Sequence, residues 1–76
     1  MIRQPLFDVI AETLRVSTNE LTLDSGIDKT RNWDSLKHME VLLNIEARFE
    51  IIFDIEELGT LTTIAQIQNS LISKKC

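Results

Sequence analysis

The chain has 76 residues, with 12 acidic side chains against 8 basic ones and a net charge of −4. A chain of this length makes one domain with a small core, burying about 60% of the surface it exposes when unfolded. The acidic balance disfavours nucleic acid as a partner, since phosphates call for Lys and Arg, and favours basic protein surfaces.

The opening residues Met1-Ile2-Arg3-Gln4-Pro5 lack the apolar core of a signal peptide, so the cytoplasm is the expected location. Pro5 suits the first turn of a helix, where its missing N–H costs nothing. Leu6, Phe7, Ile10 and Leu14 then recur at helical spacing, with Arg15 at the end that favours a cation, which predicts a first helix over residues 4–15. A long connection follows, from residue 16 to 31. Ser17 and Glu20 match a capping box and predict a short helical turn at 19–21. Leu21, Leu23 and Ile27 are expected to pin this connection to the core, and Asp24-Ser25-Gly26 reads as a turn. A loop this long in a small domain points to function, and it leads directly to Trp33-Asp34-Ser35-Leu36.

Asp34 and Ser35 are both good helix starters, and residues 35–50 contain neither Gly nor Pro. Steps of three or four through Leu36, Met39, Leu42, Ile45 and Phe49 predict one buried face. Val41 and Leu43 fall off that stripe, and one of them is expected at the surface. Ile51-Ile52-Phe53 could form a strand but has no second strand to pair with, so an extended apolar connector is expected. Asp54 should cap a short helix from 55 to 58, stopped by Gly59. Thr62 or Thr63 should cap a last helix with Ile64, Ile67 and Leu71 inward, Ile72 a further candidate for that face, and Lys74 and Lys75 at its C-terminal end. The expected fold class is all-α: a small bundle of three main helices and one short one. Apolar runs reach only three residues, as in Val41 to Leu43, so no membrane span is expected. The single cysteine, Cys76, has no internal disulfide partner and reads as a terminal thiol on a monomer, able to join two molecules only after oxidation in air.

No catalytic constellation emerges. His38 is the only histidine and sits one turn beyond Ser35 without a third group to orient it. A lone histidine is not a metal site. Glu56 and Glu57 have no counterpart across a cleft. Ser35 taken by itself is an N-cap candidate. It is also an exposed hydroxyl at a helix N-terminus, whose free N–H groups and partial positive charge tolerate a phosphate. Trp33 is expected to pack against the loop or the last-helix region, or to shape an entrance to the bundle.

Asp34-Ser35-Leu36, then Met39-Glu40-Val41, Ile45-Glu46 and Phe49, resembles the acyl carrier protein family, and the similarity continues through residues 51–57 and Leu61-Thr62-Thr63-Ile64 to cover roughly residues 4–73. The resemblance implies a single carrier domain over 1–76, with residues 4–73 ordered. It implies 4′-phosphopantetheine, received from coenzyme A, on Ser35, with an acyl or aminoacyl group held on the arm as a thioester. It makes Asp34 a recognition residue for the phosphopantetheinyl transferase. It makes Leu36, Glu40, Leu43, Glu46, Asp54, Glu56 and Glu57 candidate contacts for that transferase, for a loading enzyme, and for downstream transferases or synthases. Lys37, His38 and Arg48 interrupt the acidic pattern usual in fatty-acid carriers, and Trp33 stands where a small residue is common. These departures point to a dedicated carrier in a specialised pathway. The competing reading is an acidic helical interaction module that is never modified. A small hydrolase built on Ser35 is a further rival, opposed by the missing base–orienter pair.

Overall fold

A computed structural model describes residues 3–75, with side chains for residues 4–74. The reading of Cys76 as a terminal thiol and the side-chain role of Lys75 lie outside the described residues. The elements are helix α1 (Arg3–Leu14), a 3-10 turn (Thr18–Glu20), helix α2 (Ser35–Phe49), a 3-10 helix (Ile55–Thr60) and helix α3 (Ile64–Lys75). The described residues contain no strand, and the all-α expectation holds.

The helices share one apolar cluster. α1 contributes Leu6, Phe7, Val9, Ile10, Ala11 and Leu14, and α3 contributes Ile64, Ile67 and Leu71. Ile72 turns outward at 42% exposure. From α2 the buried residues are Val41, Leu42 and Ile45, which corrects the expected face. Leu36 and Met39 are 73% and 53% exposed. The reason is geometric: a helix turns about 100° per residue, so three successive steps of three carry Leu36 to Ile45 about 180° round the axis. Val41, off the expected stripe, lies on the true inner face, and Leu43 is the exposed one of that pair. A buried polar link joins the first two helices: Thr13 Oγ1 donates to the Val9 carbonyl at 2.9 Å and accepts from Asn44 Nδ2 at 2.8 Å.

Both α1 and α2 end on a left-handed residue that is not glycine. Arg15 has φ 60° and Glu50 has φ 57°. The next N–H reaches back five residues in each case, Val16 to Ala11 at 3.0 Å and Ile51 to Glu46 at 3.2 Å. This pattern satisfies carbonyls that the helix end leaves unpaired.

The long connection is tied down as expected. Ser17 and Glu20 form the capping box of the 3-10 turn. Leu21 is buried, and Leu23 and Ile27 pack against the core. The segment is then stitched to the start of α3. Ile27 N–H donates to the Thr62 carbonyl at 3.1 Å, Ile64 N–H to Ser25 at 2.9 Å and Ala65 N–H to Leu23 at 3.0 Å. Gly26 stands at the closest approach, where a Cβ would sit 2.1 Å from the Thr62 carbonyl oxygen.

Residues 51–53 form the unpaired extended connector. Phe53 is buried and Ile52 is 80% exposed, and the Phe53 N–H finds an acceptor in the Glu46 carboxylate at 2.8 Å rather than in a second strand. Asp54 precedes the 3-10 helix, and its N–H donates to the Glu57 carboxylate at 2.7 Å. Gly59 does not stop that element, which runs on to Thr60. Gly59 lacks the positive φ of a glycine stop, and the turn ends where Leu61 dips into the core. Thr63 opens α3: its Oγ1 accepts from Gln66 N–H at 3.3 Å, and Gln66 Oε1 accepts from Thr63 N–H at 3.2 Å.

Candidate functional site

The N-terminus of α2 is built from three consecutive residues with different jobs. Trp33 is the buried anchor at 2% exposure. Asp34 is the N-cap: its extended backbone lets the carboxylate accept from Lys37 N–H at 2.9 Å. Its carbonyl accepts from His38 N–H at 2.8 Å. Ser35 is the first helical residue, exposed to solvent, and its hydroxyl makes no hydrogen bond among the described residues. The capping role open to Ser35 in the sequence therefore belongs to Asp34. A phosphodiester fits on Ser35 in this setting. The oxygen is accessible, no internal bond is lost, and the first-turn N–H groups and the helix dipole favour negative charge.

The lead-in to this end is fixed from both sides. Asn32 takes a left-handed conformation with φ 69°, and its side-chain amide donates to the Leu14 carbonyl at the end of α1, at 3.0 Å. Asp28 N–H donates to the Trp33 carbonyl at 2.8 Å, and Trp33 N–H to Thr30 at 3.0 Å. The indole Nε1–H of Trp33 donates to His38 Nδ1 at 2.9 Å. Trp33 thus packs inward, as expected of it, and pairs with the chain's only histidine. Nothing in the spacing of 33 and 38 signals this contact, because residue 33 is extended and 38 is helical. Burial pushes the His38 imidazole below its ordinary value of 6.5, with the Leu61 backbone opposing.

The candidate contact residues separate into two groups. Leu36, Met39 and Leu43 form an exposed apolar stripe on the outer face of α2, and Glu40 beside it lies 3.5 Å from Lys37. Asp54 and Glu56 are exposed on the 3-10 helix and its approach. Asp54 also lies 3.8 Å from Lys74 Nζ, while Glu46 and Glu57 are less exposed and more firmly tied to internal partners. Glu46 holds the Phe53 N–H. Glu57 lies 2.7 Å from Lys74 Nζ and accepts from the Ser70 hydroxyl. Lys74, then Ser70 and the Asp54 N–H, hold the Glu57 carboxyl down at about 2. Arg48 pairs with Glu12 of α1 at 3.2 Å. Among the described residues no group of His, Cys, Asp and Glu is placed to hold a metal ion, and no helix is long and apolar enough to cross a membrane.

Comparison with known proteins gives this geometry a context. Residues 4–69 match the family model described as phosphopantetheine attachment site. The acyl carrier protein of Petrotoga mobilis is 30% identical over 78 residues, covering 97% of this chain and 92% of that protein. The acyl carrier protein of Exiguobacterium sibiricum is 32% identical, over 79% of this chain and 76% of its own. That of Coprothermobacter proteolyticus is 29% identical, over 87% and 80%. With its helices, its serine at the head of α2 and a match spanning nearly its whole length, the chain belongs to the acyl carrier protein family.

Proposed function

We propose that Ser35 is the residue that carries the family's 4′-phosphopantetheine, within a single carrier domain formed by residues 1–76. One observation bears most of the weight: the Ser35 hydroxyl is exposed at the N-terminus of α2 and idle, because Asp34 does the capping. Once attached, the group supplies a thiol that holds an acyl or aminoacyl cargo as a thioester. The protein is a carrier and not an enzyme: its own residues present and orient, and reactions on the cargo belong to partner enzymes.

Asp34 contributes charge next to the attachment oxygen and serves the phosphopantetheinyl transferase as a recognition point. Leu36, Met39 and Leu43 form the apolar strip on which that transferase, the loading enzyme and later synthases dock, with Glu40, Asp54 and Glu56 meeting basic side chains around it. Glu46 and Glu57, though part of the same acidic run in sequence, act chiefly on the fold. Lys37 beside Glu40 and Arg48 beside Glu12 break the acidic surface, which supports a dedicated carrier of a specialised pathway.

The test is intact mass after incubation with coenzyme A and a broad-specificity phosphopantetheinyl transferase. The wild type should gain one phosphopantetheine and Ser35→Ala none. A gain on Ser35→Ala would place the attachment elsewhere.

A further inference from the structure

His38 and Ser35 lie one helical turn apart, and the link between His38 and Trp33 spans the attachment residue. The buried indole N–H of Trp33 has its acceptor in His38 Nδ1, and without it a buried donor would be left unpaired. The two rings lie 5.9 Å apart between centroids, tilted by 33°. An indole N–H can only donate, so Nδ1 must be bare and the neutral ring carries its proton on Nε2. Nε2 is itself shut away from solvent with no hydrogen-bond partner of good geometry. A second proton has only Nδ1 to occupy, where it would face the indole N–H head on.

The surroundings offer that extra charge little relief. On the lead-in and on α2 itself the charged neighbours are Asp34, whose carboxylate is committed to the Lys37 N–H, and Lys37, beside Glu40. From the connection between the 3-10 helix and α3, the group that meets the ring is the uncharged Leu61 backbone, which favours the charged form but is outweighed by burial. Trp33 is joined to Asp34 and lies two residues before Ser35, so whatever seats the indole bears on the course of the chain into α2.

We propose that His38 is a positioning residue for Ser35: its neutral Nδ1 seats the Trp33 indole, fixes the segment that presents the serine, and lets go of it on acidification. The consequence for loading rests on Ser35 being the attachment residue, whereas the ring–ring latch does not.

Trp33 is the only tryptophan, so its indole N–H gives one NMR resonance. That resonance is followed in the apo protein from roughly pH 8 down to 4.5, a range carried well below the ordinary imidazole value because burial lowers His38. In parallel, the rate of phosphopantetheine transfer from coenzyme A is measured for the wild type and for His38→Asn. The Asn amide oxygen can accept from the indole at the same place but does not titrate. In the wild type the resonance should move upfield on acidification, while in His38→Asn it should stay fixed. The ratio of wild-type to His38→Asn loading should fall severalfold across the same range, which cancels the transferase's own pH dependence. His38→Leu should show the upfield position at every pH. A wild-type resonance that does not move, or one that moves equally in His38→Asn, would overturn the latch. A moving resonance with a constant loading ratio would overturn the positioning role. Absence of loading on any variant at any pH, with the resonance still titrating, would overturn the Ser35 assignment and the positioning role with it.

Discussion

Asp34 and Ser35 divide two tasks that a single serine could have held. A serine at a helix start is ordinarily a cap, and in the sequence both neighbours qualify. The carboxylate takes the Lys37 N–H, which leaves the hydroxyl free for chemistry. Asp34→Ala should therefore lower unfolding free energy by about 1 kcal/mol, the usual loss for a cap. Ser35→Ala should cost much less, since no hydrogen bond goes with its hydroxyl. Denaturant titration of the two variants checks the order. The helix start at Asp34-Ser35 was legible in the sequence because it depends on local residue types. The Trp33–His38 pair was not, because no helical or extended period relates an extended residue to a helical one five positions on. Its signal lies only in the chemistry: one buried indole needs one acceptor.

At the scale of elements, every helix was recognisable from periodicity and caps, but the facing of α2 was not. Leu36, Met39, Leu42 and Ile45 look continuous along the sequence, yet uninterrupted steps of three drift round a helix instead of staying on one side. The core is set by Val41, Leu42 and Ile45, with Phe49 packed against it, and Leu36, Met39 and Leu43 are left for the outside. Gly26 gives a second contrast. As part of Asp24-Ser25-Gly26 it reads as a turn, whereas its structural role is to admit the Thr62 carbonyl where any side chain would collide. That requirement comes from a residue far along the chain and has no local sign. Gly26→Ala should destabilise by about 3 kcal/mol, the upper end of ordinary overpacking, because the obstacle is backbone and cannot swing away. The same variant should deprotect the Ile64 and Ala65 amides in hydrogen exchange, since their acceptors lie on the displaced loop. A full-strength signal at those amides would mean that the loop absorbs the clash elsewhere.

For the whole molecule, the formal charge overstates the acid available to a partner. The Glu57 carboxyl is held at about 2 against an ordinary 4.5, and Glu20 is lowered by the Ser17 N–H and by Arg31. A depressed carboxyl favours folding fully above its unfolded value and loses that contribution as pH falls. For Glu57 the window runs from 4.5 down to about 2. Lys74 is raised by the same contact, so its share is present below 10.5 and lost as pH climbs through its raised value. The thermal midpoint should thus decline with acid more steeply in the wild type than in Glu57→Gln when scanned across that acid window. Added salt should shrink the difference, because the Lys74 and Glu57 side chains remain 22% and 23% exposed. Equal slopes would mean that the contact persists in the unfolded chain or does not form.

Ser35 follows a lead-in braced against α1 through Asn32 and Leu14, and held to itself through Asp28 and Trp33. Whatever is fastened there swings from a fixed pivot. Its reach is bounded by one sphere centred on a single oxygen, instead of a volume blurred by a wandering loop. An enzyme docking on the outer strip of α2, as proposed above, would meet that pivot at the same offset on every visit. The distance from docking strip to catalytic pocket then becomes a ruler shared by enzymes that need have nothing else in common.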